Sequence, residues 1–141
     1  MDTDLLRQHI MWAEAAQGPE LFPYRDTVEK LTIGYGRNLD DRGITRAEAD
    51  FMLSTDIRYT LAEAESLPYW ERLDSVRKIV IADMIYNLGF SKFRGFKRLH
   101  TAIVLPDYTL AAYEMKDSRW YKQTLRRAKV LHKAMLTGLW K

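Results

Sequence analysis

In the stretch QGPELFPYRDTVEKLTIGYGRNL, residues 17 to 39, a carboxylate at Asp26 is followed six positions later by a hydroxyl at Thr32, on a short β-branched run that leads into Gly34-Tyr35-Gly36. Brought together at a loop and strand edge, these two groups can hold one water between them for attack on a polarised bond. That chemistry needs an acid as partner, and Gln17, which opens the stretch, has no proton to release. Each residue also has an ordinary explanation. Asp26 fits a turn aspartate bonded to its own backbone, Thr32 an ordinary strand residue, and Gln17 a polar helix end in solvent. Gly34-Tyr35-Gly36 is no phosphate loop, because the third glycine of the dinucleotide fingerprint and its βαβ setting are missing.

The elements that must position these groups are mostly helical. Leu5, Leu6, His9, Ile10 and Trp12 recur at helical spacing, and Gly18-Pro19 ends that pattern, since the residue before a proline is disfavoured in a helix. From Leu21 to Asn38 the short run Leu31-Thr32-Ile33 and the glycines after it predict a small hairpin or ribbon. Thr45-Arg46-Ala47-Glu48 is a capping box, and the helix it opens carries Ala49, Leu53, Ile57 and Leu61 on one face and runs to about Ser66. Pro68 opens a short turn or helix. Asp74 is the expected N-cap of a long apolar helix from Val76 to Leu88, placed to be the core axis, with Gly89 ending it. Phe96 to Val104, Tyr108 to Met115 and Leu125 to Leu136 supply further helical faces, separated by Pro106-Asp107 and by Ser118. No repeat or low-complexity tract interrupts them.

A chain of 141 residues, 47% apolar and 29% charged, has the size and balance of one compact domain able to bury roughly two-thirds of its unfolded surface without staples. It has no cysteine, and His9, His100 and His132 are scattered, so neither disulfides nor a structural metal is expected. The N-terminus is charged and lacks a signal-like apolar run, and no later run reaches bilayer-spanning length, so a soluble chain made in a cytoplasm is expected, without stable membrane insertion. A net charge of +3 favours only loose association with anionic surfaces. Composition alone yields a small helix-rich α+β domain with a β insertion near residues 20 to 40, and no function.

The stretch GPELFPYRDTVEKLTIGYGRNLDDRGIT, followed much later by SRWYKQTLRRAK, resembles the phage-type lysozymes, the endolysins of glycoside hydrolase family 24. Their signature is a Glu, eight residues, an Asp, five residues and a Thr. Here those intervals fall on Gln17, Asp26 and Thr32, with Gly18, Tyr24 and Thr32-Ile33-Gly34 in register and only the first letter departing. LDSVRKIVIADMIYNLG is similar to the family's long central helix, so the resemblance covers nearly the whole chain. It implies one lysozyme-like domain over 1–141: a β-containing lobe at about 18–45, a connecting helix at about 45–66, and a helical lobe at about 67–141 joined by the N-terminal helix, with a peptidoglycan cleft between the lobes.

What the family implies for the residues is hydrolysis of the β-1,4 bond between N-acetylmuramic acid and N-acetylglucosamine through an oxocarbenium-like transition state, with inversion. Position 17 would hold the acid, while Asp26 with Thr32 stabilises positive charge and positions the attacking water. A glutamine there keeps the shape of a glutamate and loses the proton, so the site is expected to be formed but disabled; it is either an introduced replacement of an original Glu or a natural loss. Glu14 and Glu20 are the nearest other acids, and neither is expected to substitute. Arg127 matches an arginine of the helical lobe that reaches the catalytic acid, against the alternative of a solvated basic face shared with Arg126, Lys129 and Lys133. Asn87 falls where relatives hold a cleft amide, Tyr35 is a substrate-binding candidate, and Arg37 stands where many relatives have a histidine. Trp120 and Tyr121 could stack on sugars but fit better as buried aromatic anchors.

The resemblance further implies a cofactor-free monomer acting on peptidoglycan glycan strands. It would accumulate in the host cytoplasm and reach the periplasmic wall after holin-type release. Three other readings remain: a pseudoenzyme that grips the wall without cutting, a lytic transglycosylase, against which the Asp26 to Thr32 spacing argues, and a basic helical nucleic-acid binder resting on the charge run from Lys116 to Lys133. The last is disfavoured, because charge runs on helices are usually solvated faces.

Overall fold

The computed structural model describes residues 1–140 and divides into two compact units, Met1–Phe51 and Met52–Lys141. In the first, Asp2 caps helix α1 (Thr3–Glu14) by accepting from the Leu5 amide at 3.0 Å. The helix stops three residues short of Gln17, and no residue of it is buried. Three strands follow, β1 (Glu20–Arg25), β2 (Leu31–Gly34) and β3 (Arg37–Asn38), in an antiparallel sheet of order β1-β2-β3. The expected ribbon is thus a three-stranded sheet. Its register pairs Thr32 with Tyr24 on one side and with Asn38 on the other, so Thr32 occupies the central strand, and a β1 irregularity between Glu20 and Tyr24 leaves residues around Pro23 out of the regular pairing.

Helix α2 (Arg46–Glu65) starts at the capping box the sequence announces: the Glu48 amide donates to Thr45 Oγ1 at 3.1 Å and the Thr45 amide donates to Glu48 Oε2 at 3.0 Å. The division between the units falls within this helix. Of its side chains only Thr60 and Ala64 are buried, while Leu53, Ile57 and Leu61 remain partly open.

The second unit carries the core. A 3-10 turn (Trp70–Arg72) leads to α3 (Ser75–Leu88), whose N-cap Asp74 accepts from the Arg77 amide at 2.9 Å and whose Val80, Ile81, Met84 and Ile85 are all within 2% of full burial. After it come α4 (Phe90–Arg94), α5 (Lys97–Val104), α6 (Tyr108–Lys116), α7 (Arg119–Gln123) and α8 (Leu125–Thr137), of which α4 and α8 pack on α3. The short helices α4 and α7 were not separately visible in the sequence, being too brief to show a period. Helix α6 packs against both α5 and α8, and its Ala111 and Ala112 with Ala128 and Ala134 of α8 leave room for the two backbones to approach. Arg77 ties the start of α3 to the end of α8: it stacks 3.6 Å from the Tyr108 ring centre and donates to the Met135 carbonyl at 2.8 Å. Gly138 is required at that end, since its φ is +70° and a Cβ there would stand 2.9 Å from Arg77 Nη1. Among the described residues no helix is long and apolar enough to cross a membrane.

Candidate active site

Asp26 and Thr32 are brought together by the backbone of one residue. Asp26 Oδ1 accepts from the amides of Val28 and Lys30 at 2.9 and 2.8 Å, and the Asp26 amide donates to the Lys30 carbonyl at 3.0 Å. Thr32 Oγ1 donates to that same carbonyl at 2.8 Å and is almost entirely buried. The turn explanation of Asp26 therefore holds in full for one carboxylate oxygen. It does not exclude the functional one, because the same bonds fix the carboxylate's direction and leave Oδ2 without a hydrogen bond among the described residues. Glu29 within this turn takes φ 62°, a left-handed conformation that the turn's hydrogen bonds impose on a side chain that disfavours it.

Gln17 lies in the exposed turn between α1 and β1, where the Gly18 amide closes back onto the Ala15 carbonyl at 2.9 Å. Its side chain makes no hydrogen bond among the described residues. Glu14, one turn earlier on α1, lies over the link between β2 and β3. A Cβ added to Gly36 would meet Glu14 Oε2 at 2.8 Å, which with a φ of +78° restricts that position to glycine. Tyr35, in the same link, is exposed.

Arg37 makes a two-pronged pair: its Nη1 and Nη2 donate to Glu48 Oε2 and Oε1, both at 2.7 Å, and Nη1 also reaches the Gly43 carbonyl at 3.1 Å. Those hydrogen bonds, joined by the one from the Thr45 amide, pull the Glu48 carboxyl down to about 2. Glu48 thus serves as helix cap and as anchor of β3 at once.

In the helical unit Trp120 is the buried anchor, and its Nε1 donates to Asn87 Oδ1 at 2.8 Å. That bond orients the Asn87 amide and leaves its NH₂ available. Arg127 is not an unengaged member of a basic face: its Nε donates to Asp83 Oδ1 at 2.6 Å. Asp83 escaped the sequence reading. The signal that could have found it is its position four residues before Asn87, which places both on one face of α3. Asp83, Asn87 and Arg127 border a cavity of about 650 Å³ that Gln123, Arg126 and Trp140 also line, and Asp83 and Arg127 border a second, more apolar one of about 400 Å³ walled by Leu53, Ile57, Ile79 and Tyr86. Among the described residues no group of acidic or histidine side chains is arranged to hold a metal ion.

A small sheet presenting an aspartate and a buried threonine, followed by an all-helical unit of this order, defines a lysozyme-like α+β protein. The comparison with known families agrees: the phage lysozyme family matches residues 14–137, and the chain belongs to it. It is 28% identical to the probable T4-type lysozyme 1 of Dictyostelium discoideum and 25% identical to the probable T4-type lysozyme 2 of that organism, in each case over 86% of this chain and 89% of the relative. It is also 27% identical to the pre-baseplate central spike protein of Enterobacteria phage T4, over 82% of this chain but only 22% of that longer protein.

Proposed function

We propose that this protein is built as a muramidase that hydrolyses the β-1,4 bond between N-acetylmuramic acid and N-acetylglucosamine, and that the chain carrying Gln17 is catalytically impaired. The observation that carries the reading is the convergence of Asp26 and Thr32 on the two peptide groups of Lys30, at the family's own intervals from position 17. In this reading Asp26 stabilises the oxocarbenium-like charge and orients the attacking water with Thr32, and position 17 is where protonation of the leaving oxygen belongs. Gln17 cannot supply that proton, and a positioned general acid is worth roughly 10²–10⁴ in rate. The biological setting that fits is lysis of a bacterial host from within, by a monomer that crosses to the wall through a holin-type lesion.

Gln17 also supports a second reading, a wall-binding protein that keeps the fold and has given up cleavage. Turbidity loss of permeabilised Gram-negative cells separates the two. The Gln17→Glu variant is expected to clear the suspension at least about 10²-fold faster than the parent. If neither clears it while both are folded and bind wall fragments, the binding reading stands and the assignment of position 17 falls.

A further inference from the structure

The geometry points to Asp83 as a positioning residue that sets Arg127 for contact with acceptor oxygens of the glycan strand. This inference rests on the peptidoglycan reading above. An unanchored arginine at the rim of a cavity must surrender side-chain rotamer freedom when a ligand arrives. Here that ordering is done in advance. The Asp83 carboxylate, itself held on the central helix α3, takes the Nε–H of Arg127 from α8 at 2.6 Å, with the two side chains 28% and 40% exposed.

The bond uses one of the five guanidinium N–H groups. The four on the terminal nitrogens have no partner among the described residues. Arg127 borders both the larger cavity and the more apolar one, and so does Asp83, so the fixed guanidinium stands where the two meet. Asn87, one turn along α3, is oriented in the same manner: its carbonyl oxygen is occupied by Trp120, which leaves two N–H donors. The wall therefore offers pre-oriented donors beside an apolar surface. Its complement is a ligand with amide or carboxylate oxygens on a partly apolar frame, which peptidoglycan provides twice, in the N-acetyl groups of its sugars and in the carbonyls and carboxylates of its stem peptides.

The experiment measures binding of the folded 141-residue chain to soluble peptidoglycan strands, once with stem peptides intact and once after they have been removed. Asp83→Ala is expected to weaken binding roughly 3- to 10-fold, the cost of ordering one long side chain anew. Arg127→Lys, which keeps the charge but lacks the Nε donor, should match it. Asp83→Asn, which keeps an acceptor oxygen, should stay within about twofold of the parent. The decisive comparison is a cycle: Asp83→Ala should add nothing once Arg127 is alanine. A loss seen on both kinds of strand assigns the sugar N-acetyl groups, and a loss confined to intact strands assigns the peptide oxygens. Unchanged binding by both Asp83→Ala and Arg127→Lys, or an Asp83→Ala effect that persists without Arg127, overturns the inference. A parent chain that binds neither strand instead overturns the functional reading beneath it.

Discussion

The two units of this molecule are held together by different physics. In Met52–Lys141 the helices surround a continuous apolar cluster running from Ala64 to Met135, with Val80, Ile81, Met84, Phe93, Met115 and Met135 closed off from solvent. In Met1–Phe51 the single buried side chain among the described residues is Thr32, and order comes from hydrogen bonds: the Asp26 turn, the capping box, and the Arg37 pair with Glu48. The residues proposed to do chemistry sit on the second kind of structure. Apolar packing is tolerant of where a given oxygen points, whereas a lattice of directional bonds fixes each oxygen at the expense of stability.

The widest separation between the units should come from removing core volume. Phe93→Ala, at a site with no exposure and with the His100 ring set edge-on to it at 4.9 Å, is expected to cost about 3–5 kcal/mol, read from denaturant unfolding followed by the helical signal. A loss below about 1 kcal/mol would mean that packing is not what holds this unit. Thr32→Val is the matching change in the other unit. It keeps the shape and removes the hydroxyl bond to the Lys30 carbonyl, at a cost of about 1 kcal/mol. Hydrogen exchange should show faster opening of β2 amides with no change in the helical unit. Faster exchange throughout α3 would show that the units do not open separately.

The same contrast explains what could be read in advance. The long helices were legible because their caps are local: Asp74, Gly89, Thr45 with Glu48, and Pro106-Asp107 each act within four residues. Asp26 and Thr32 stood out in the sequence as an acid and a hydroxyl six positions apart and Gln17 only through the resemblance to the phage-type lysozymes, and the turn that joins the first two lies wholly between residues 26 and 32. Asp83 with Arg127 was not, since its partners are 44 residues apart and neither periodicity nor charge says which acid an arginine will find. Arg37 with Glu48 was missed in part for a related reason, because Glu48 was already accounted for as half of the capping box.

The subtlest expected difference is in acid. Glu48, ordinarily near 4.5, is drawn to about 2 first of all by the hydrogen bonds from Arg37, so its contribution to the N-terminal unit is complete above pH 4.5 and declines only as the pH falls toward 2. The helical unit instead holds two histidines lowered chiefly by burial, His100 and His132. His100 Nε2 donates to the Phe93 carbonyl at 2.9 Å, which makes Nδ1 the acceptor of the Tyr69 hydroxyl at 2.7 Å. Protonation would turn Nδ1 into a second donor aimed at a donating hydroxyl, on a Tyr69 that is 2% exposed, while Arg94 adds like charge. The unfolded chain takes up these protons as the pH drops below about 6.5 and the folded unit resists them, so its stability falls from that point downward. Hydrogen exchange resolved along the chain should therefore show the better-packed unit losing protection first on acidification, before the sheet responds at all. The His100→Gln/His132→Gln variant should abolish the early phase and leave the Glu48 phase, whereas Glu48→Gln should do the reverse. If the sheet loosens first in the parent, local hydrogen bonding rather than the buried imidazoles governs the acid response of both units.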